Sequence, residues 1–516
     1  MKKQSLVKGS LILGAAGILT KFMGLFFRWP LIMLIGDEGV GYYQMSYPLY
    51  MFYLALAAGV PVAISKMISE KNAVNDIDGI FEVVKEALIF MVLIGTGTTV
   101  FLFFCARPIL EILKWDYKAY YSIIGISFAP IVISFMTVLR GFFQGLQNMN
   151  HVAVSQIIEQ LGRVIFGVGL AIFLLPRGIE FSAGGAAFGA TVGAVFGTAY
   201  LFSNYKKIKK QLGIKKIKTC PKVLNSIIHI AIPISLGTTV GSVMNLIDSI
   251  IVPQKLLQAG CSNTEATILY AQLTGKASVI VNIPMTLSMA FCITLIPIIA
   301  ENFVLNRYKE VNKKIDMAIK MSSVIALPCT LGIFILALPI MKLIFPGNFE
   351  GFEILKYLSI SIPFIILTQT TTSILQGTGY YLKPVFNLLI GCVIKILITS
   401  VLVSLKEVNI YGAVLGSILA YAIASILNIV TVRIKLKVNI HLYETVIKPF
   451  LAAIIMGLAV VLSYTFMYLK TDNNNISCIV SICIGIIIYG ILIVMLKVFN
   501  LEEFIDKIKF RQYKRR

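Results

Sequence analysis

Long runs of mostly apolar residues, each of about 20 residues or more, recur along the whole chain and alternate with short polar segments. A helix of that length crosses a hydrocarbon core of about 30 Å. Helices also satisfy their own backbone hydrogen bonds, which lipid cannot do. The pattern therefore predicts about fourteen transmembrane helices. Their approximate bounds are 9–35, 42–69, 82–107, 119–145, 151–176, 184–205, 226–253, 266–300, 316–344, 352–378, 382–405, 411–433, 443–470 and 476–498.

Composition agrees with this pattern and excludes a soluble protein. Of the 516 residues, 58% are hydrophobic and only 14% are charged, whereas soluble domains carry about 25% charged residues. The eight cysteines are scattered and form no CxxC pair, and the three histidines are far apart in sequence. We expect neither a disulfide framework nor a metal site. The predicted fold class is an all-α integral membrane protein.

The net charge of +22 is distributed unevenly between the polar segments. Lysine and arginine concentrate in the segments 206–222 and 301–314 and in the C-terminal tail, whereas the loops near 36–41 and 471–475 contain acidic residues and no basic ones. Basic loops stay on the cytoplasmic side of a membrane. With fourteen spans, this predicts that both termini are cytoplasmic. A nucleic-acid partner is not expected, because no basic soluble domain is present.

The lysine-rich segment also divides the chain into two similar parts. We predict an N-lobe of six spans at 1–205, a basic cytoplasmic linker at 206–222 and a C-lobe of six spans at 223–437. Two closing helices at 438–499 and a basic cytoplasmic tail at 500–516 follow. Gln144-Gly145 in the fourth span recurs as Gln376-Gly377 in the tenth. Such repeats indicate an internal duplication, as in transporters with a central substrate path. Chance similarity between glycine-rich apolar helices is the alternative.

Basic residues inside the predicted spans are the first indication of function. A charged side chain near the bilayer centre costs at least about 2.5–3.5 kcal/mol, so it normally faces a partner or a water-filled cavity. Glu159 and Asp248 are the intramembrane acids that we set against them, and the balance is cationic. We therefore predict a cationic cavity and an anionic substrate. The basic residues are Lys21, Arg28, Arg163, Lys276 and Lys395, with Lys66 nearer a span end, where snorkelling to the interface is equally plausible.

The fifth span carries a polar stripe. Gln156, Glu159, Gln160 and Arg163 are spaced at i, i+3, i+4 and i+7, which places them on one face of a helix. Glu159 and Arg163 are also spaced for an ion pair. One interpretation is a neutralised pair that holds two helices together. The other is a stripe that faces a cavity, which the two glutamines favour.

The seventh span offers a candidate cation site. Asn245 and Asp248 share a face, and an intramembrane carboxylate with amide and hydroxyl neighbours suits Na⁺ or a proton. The competing interpretation is that Asp248 pairs with Lys276 or another cavity cation. No Walker A, HExxH or GxSxG motif is present. We therefore expect no enzyme activity and no bound cofactor, and we expect any transport to depend on an ion gradient or the membrane potential.

Three N-terminal segments carry a family resemblance: LVKGSLILGAAGILTKFMGLFFR, GDEGVGYYQMSYPLYMF and GVPVAISKMISE. They resemble the stage V sporulation protein B group. This group belongs to the polysaccharide-transporter branch of the multidrug/oligosaccharidyl-lipid/polysaccharide exporter superfamily, which includes the MurJ-type lipid II flippases. The resemblance extends over essentially the whole chain and implies the fourteen-helix, two-lobe fold of that superfamily.

The resemblance also implies roles for particular residues. Two arginines of the first helix in MurJ-type flippases are matched by Lys21 and Arg28 in TKFMGLFFR, and Lys276 lies one turn beyond the position of an eighth-helix arginine. The second-helix arginine of that pattern is missing here, within the stretch 50–53. Asp248 and Asn387 look like counterparts of a sodium site, with Gly391 where its second carboxylate would be.

The resemblance implies flipping of an undecaprenyl-pyrophosphate-linked saccharide, with lipid II and spore cortex synthesis as the first expectation. It also implies the cell membrane of a Gram-positive spore-former, and a monomer that contacts membrane lipids and associates with peptidoglycan synthases. Multidrug export is the main alternative, although drug exporters of this superfamily favour cationic substrates. A non-transporting scaffold for peptidoglycan synthesis is a third interpretation, which would not require five intramembrane cations.

Overall fold

The computed structural model describes residues 6–212, 221–305, 307–438, 441 and 443–498. Within these residues the chain is helical and contains no strand. The helices are α1 Leu6–Ala57, α2 Gly59–Ala73, α3 Ile77–Phe104, α4 Ala106–Leu113, α5 Tyr120–Ser127, α6 Ala129–Gly145, α7 Met149–Leu174, α8 Ile179–Gln211, α9 Pro221–Gln258, α10 Asn263–Ala271, α11 Ser278–Val304, α12 Tyr308–Ile335, α13 Ala337–Ile344, α14 Phe352–Leu358, α15 Ile362–Gly377, α16 Leu382–Leu402, α17 Tyr411–Leu436, α18 Lys448–Thr471 and α19 Asn474–Met495.

Twelve helical segments in the described part of the chain are long and apolar enough to cross a membrane. One of them, Ile12–Ala73, covers the first predicted span from residue 12 onward and the whole of the second. The predicted eighth span is not among the twelve; there the chain forms α10, a π-helical segment Gln272–Ala277 and α11. The expectation of an all-α, multi-pass membrane fold is therefore confirmed.

The chain reverses direction at a single residue inside α1. Gly36 has φ 63° and ψ −172°, a left-handed φ that glycine adopts without a Cβ clash. The rings of Phe27 and Tyr43 lie 5.7 Å apart, whereas residues 16 positions apart in a straight helix are separated by about 24 Å. The segments before and after Gly36 therefore run back alongside each other. Our assignment of 36–41 to a loop was wrong, because the helix resumes at Asp37, which is buried.

A proline explains the break between α1 and α2, and polar side chains form hydrogen bonds with the backbone groups that the break exposes. Pro61 has no N–H, and its ring clashes with the carbonyl four residues earlier, which disfavours a continuous helix. The backbone N–H of Gly59 donates to Ser235 Oγ at 3.1 Å, and Thr238 Oγ1 donates to the carbonyl of Ala55 at 2.9 Å. Side chains of α9 thus satisfy backbone groups that the break exposes, as lipid surroundings require.

The described residues pack into two compact units, one formed by 6–279 and 392–416 and the other by 280–391 and 417–498. In the first unit, α8 carries a glycine at every fourth position, and these glycines let α7 and α8 approach backbone to backbone. A Cβ added to Gly193 would lie 2.9 Å from the backbone nitrogen of Arg163. This packing fixes α7 at the level of its polar stripe. The glycines are Gly185, Gly189, Gly193 and Gly197.

The second unit has an apolar core built on α12, α15 and α17. Its fully or nearly buried side chains include Ile315, Ile374 and Val432. One polar contact joins α12 to α15, where the hydroxyl groups of Ser322 and Thr370 lie 2.6 Å apart. The unit also contains the closing pair α18 and α19. The two-lobe division remains a prediction, and the C-terminal tail and residues 213–220 of the linker lie outside the described residues.

Candidate functional site

Arg28 lies against a ladder of tyrosines on the returning segment of α1. Tyr43, Tyr47 and Tyr50 follow each other at helical spacing, with ring centroids 5.4 and 5.7 Å apart. The guanidinium carbon of Arg28 lies 5.7 Å from the centroid of the Tyr47 ring, a distance at which the ring face attracts a cation. Its Nη1 also donates to the carbonyl of Thr274 at 3.3 Å. Arg28 is half-buried and remains partly accessible.

Arg163 reaches the same ladder from α7. Its Nη2 donates to the hydroxyl of Tyr50, and its guanidinium carbon lies 5.2 Å from the centre of that ring. Arg163 is only 8% exposed, and its buried Nε has no hydrogen-bond partner. Two guanidinium groups therefore contact adjacent tyrosines. We call Arg28, Tyr43, Tyr47, Tyr50 and Arg163 the arginine–tyrosine cluster.

Glu159 lies beside Arg163 but bonds mainly to a third arginine. Arg140 Nη2 donates to Glu159 Oε2 at 2.8 Å, and Arg140 Nε donates to Ser155 Oγ at 3.0 Å. The separation between Arg163 Nη2 and Glu159 Oε1 is 3.9 Å. Our sequence reasoning missed Arg140, although a basic residue in the predicted span 119–145 was an available signal. The i, i+4 pair that we expected is thus the weaker of the two contacts of Glu159.

The rest of the α7 stripe is near the first segment of α1. A Cβ on Gly24 would lie 3.7 Å from Gln160 Nε2, which places that amide between the levels of Lys21 and Arg28. Gln156 Oε1 is buried without a hydrogen-bond partner, and Lys21 is exposed. Gln160 of the predicted stripe therefore lies beside the helical segment that carries the predicted cations Lys21 and Arg28.

Lys276 has a different environment from the one predicted. It is fully buried, and its Nζ lies 2.6 Å from Asp37 Oδ1 and 2.8 Å from Asp37 Oδ2. Gln272 donates to the same carboxylate at 3.1 Å. Because we had placed Asp37 in a loop, we considered Lys276 as a cavity cation or as a partner of Asp248, and not as a partner of Asp37. In this structure its charge is bonded to Asp37, as an intramembrane charge requires.

Lys395 and Asp248 form a second buried pair. Lys395 Nζ lies 2.7 Å from Asp248 Oδ2 and donates to the carbonyl of Met244 at 3.1 Å. The structure thus shows Asp248 with a cationic partner, as the competing interpretation held, although the partner is not Lys276. Asn245 is exposed, and so is Lys66.

Asn387, the third residue of the predicted cation site, belongs to the second unit. There its amide donates to Asn428 Oδ1 at 2.8 Å and lies 3.3 Å from Thr431 Oγ1. Asn428 in turn donates to Thr372 Oγ1 at 3.3 Å. These contacts join α15, α16 and α17 through neutral groups. We call Thr372, Asn387, Asn428 and Thr431 the amide–hydroxyl cluster.

The profile of the polysaccharide biosynthesis protein family matches residues 6–303. The chain belongs to that family. It is a multi-pass membrane protein, and the match agrees with the resemblance expected from the N-terminal segments.

Two curated relatives and one solved structure extend the comparison. The chain is 29% identical over 459 residues to stage V sporulation protein B of Bacillus subtilis, and the aligned region covers 86% of each chain. It is 29% identical over 447 residues to the lipid II flippase MurJ of Bacillus subtilis, covering 82% of this chain and 81% of that one. A structure of the lipid II flippase MurJ in an inward closed conformation superposes with a TM-score of 0.72 at 17% identity, over 94% of this chain and 99% of that one. The chain therefore has the same fold as that structure.

Proposed function

We propose that this protein is a flippase that moves a polyprenyl-pyrophosphate-linked saccharide, with lipid II as the first candidate, across the cell membrane. Two relatives of similar identity support the proposal, one named as a sporulation protein and one as a lipid II flippase. The protein would act without covalent chemistry, by alternating access of the substrate site to the two membrane faces. The cytoplasmic orientation of both termini is part of this proposal and rests on the basic loops.

The arginine–tyrosine cluster is the observation that carries the proposal. The pyrophosphate that links a polyprenyl chain to a saccharide is esterified at both ends and is a compact dianion, and arginine binds such a group through parallel N–H donors. Arg28 and the exposed Lys21 would contact it directly, with Arg163 behind them. Lys276 and Lys395 are less suited to this role in the present state, because each is bonded to a carboxylate.

We propose that Arg163 replaces the second-helix arginine of MurJ-type flippases, which this chain lacks. The position of that arginine falls in the stretch 50–53, where this chain has tyrosines and no basic residue. Arg163 projects from α7 to the hydroxyl of Tyr50. A guanidinium group thus lies at the level of that position, although a different helix supplies it. We infer that Arg163 substitutes for the family's second-helix arginine in binding the substrate.

Charge reversal tests the proposal. Lys21→Glu together with Arg28→Glu should abolish complementation of a flippase-deficient strain, because two attractive contacts with the pyrophosphate become repulsive. Each lost charge-assisted contact corresponds to a loss of about tenfold or more in affinity. Arg177→Glu together with Lys470→Glu is the matched control, since it reverses two exposed charges that are not part of the candidate site. A lipid II accessibility assay on the outer leaflet provides the readout. Normal accessibility with the double variant at wild-type abundance would exclude this anion site, and surviving efflux of cationic drugs would instead indicate multidrug export.

A further inference from the structure

Arg140 and Glu159 lie beside the arginine–tyrosine cluster, and the proposed contacts with the substrate do not use them. Both side chains are largely buried, with 17% and 15% of their side-chain surface exposed. A buried ion pair is costly to form from hydrated charges and does not by itself stabilise a protein. We therefore expect the ion pair between Arg140 and Glu159 to have a role other than stabilising the fold.

Glu159 lies closer to Arg140 than to Arg163. Its Oε2 lies 2.8 Å from Arg140 Nη2, a normal charge-assisted hydrogen bond, whereas its Oε1 lies 3.9 Å from Arg163 Nη2, which is too long for one. Arg140 is itself anchored by Ser155, a fully buried residue whose hydroxyl donates to the carbonyl of Val152 at 2.7 Å. Arg140 thus holds the carboxylate from a fixed position.

The contact between Arg140 and Glu159 determines whether the positive charge of Arg163 is neutralised. If Arg140 were neutral, Glu159 would still have Arg163 at 3.9 Å on the same helix, at the i, i+4 spacing that favours a direct pair. With Arg140 in place, Arg163 has a hydrogen bond to the neutral Tyr50 hydroxyl and a buried Nε without a partner. The three side chains together carry one net positive charge, and the contacts leave that charge on Arg163.

We propose that Arg140 is a positioning residue that holds Glu159 away from Arg163 and so keeps the Arg163 guanidinium available to an anionic substrate group. This inference rests on the proposed function of the arginine–tyrosine cluster. In the absence of Arg140, Glu159 would pair with Arg163 and act as an internal competitor of the substrate anion.

The test is a charge-matched set of variants of the full-length protein in nanodiscs, with farnesyl pyrophosphate as the probe. Arg140→Gln should weaken probe binding by about tenfold or more, since Glu159 then neutralises Arg163. Arg140→Gln combined with Glu159→Gln should restore affinity to within about threefold of the unsubstituted protein, because the competitor is gone. Glu159→Gln alone should bind at least as tightly as the unsubstituted protein.

A purely structural role gives a different result. In that case Arg140→Gln and the double variant would be equally impaired, since both lack the ion pair, and this outcome would overturn the inference. Arg177→Gln, which removes an exposed arginine beyond the end of α7, controls for loss of overall charge. If Arg140→Gln fails to fold, Glu159→Gln alone still decides, because weaker binding by that variant would also refute the proposal.

Two further variants separate this inference from the proposed function. Arg28→Gln and Arg163→Gln each remove a guanidinium group of the arginine–tyrosine cluster. If both bind the probe normally, the proposed substrate site is wrong. If both weaken binding while the double variant of Arg140 and Glu159 shows no recovery, the substrate site stands and only the role of Arg140 is wrong.

Discussion

The two compact units use buried polar side chains in opposite ways. In the described part of the first unit, six charged residues are buried, whereas the buried polar side chains described in the second unit are all neutral. The hydrogen bonds between members of the amide–hydroxyl cluster join neutral groups, at 2.8–3.3 Å. In lipid a neutral contact holds helices together at little cost, but a charge needs a partner or a ligand. The charged residues of the first unit are Asp37, Glu86, Arg163, Asp248, Lys276 and Lys395.

The buried basic residues of the first unit are of two kinds. The ammonium groups of Lys276 and Lys395 lie within 2.8 Å of a carboxylate oxygen. Arg163 bonds instead to a tyrosine hydroxyl and lies 3.9 Å from the nearest described carboxylate. The two lysine–aspartate pairs are the first kind. They join helices as the amide–hydroxyl cluster does, but burying their charges costs more electrostatic free energy. Arg163 is of the second kind, and under the proposed function it is the buried charge that binds the substrate anion.

The largest effect should follow from removing one partner of a buried pair. Lys276→Met leaves the Asp37 carboxylate buried without that counter-ion, and loss of one partner of a buried ion pair costs about 3–5 kcal/mol. We expect a marked fall in the thermal unfolding temperature of the purified protein in detergent. Lys276→Met with Asp37→Leu should recover most of the loss, because neither charge then remains. A double variant no more stable than the single one would show that these residues are not coupled.

A smaller effect is expected from the amide–hydroxyl cluster. Asn428→Leu removes hydrogen bonds between α16, α17 and α15, and such bonds in membrane proteins contribute about 0.6 kcal/mol on average and up to about 1.7 kcal/mol. Thermal unfolding should therefore shift only slightly, and farnesyl pyrophosphate binding should not change. Thr431→Val is the matched variant at the edge of the cluster. Loss of probe binding by Asn428→Leu would break the distinction between the two units and make this cluster part of the substrate site.

The sequence allowed the helices to be predicted well, because bilayer thickness dictates the length of each apolar run. It also identified Arg163 and the α7 stripe, since helical spacing is a local property. The partners of the charges could not be predicted in this way. Asp37 was assigned to a loop because hydropathy does not detect a reversal made by one residue, Gly36. The pairing of Lys395 with Asp248 and of Arg140 with Glu159 depends on which helices are neighbours, and a single sequence does not specify that.

The smallest effect should come from a lysine–aspartate pair of similar geometry in water. Lys71 Nζ and Asp76 Oδ2 lie 2.7 Å apart, but their side chains are 40% and 37% exposed. Hydrogen bonds from Lys71 and from the backbone N–H of Gly79 lower the pKa of Asp76 below its ordinary value. Because the folded-state pKa is depressed, the stabilisation is fully present above the unfolded-state pKa and is lost as pH falls through the folded-state pKa. Solvent screening limits it to less than about 1 kcal/mol.

The matched comparison is therefore Asp76→Asn against Asp37→Asn, each in the full-length protein. Asparagine retains an oxygen that accepts from Gly79 and caps α3, so Asp76→Asn removes mainly the ionic contribution. We expect its unfolding temperature to equal that of the unsubstituted protein in acid and to fall slightly behind it at neutral pH. Asp37→Asn leaves Lys276 buried without its carboxylate and should be far more damaging at neutral pH. Equal effects of the two substitutions would mean that burial does not set the strength of these pairs, and the contrast between charged and neutral clusters would lose its physical basis.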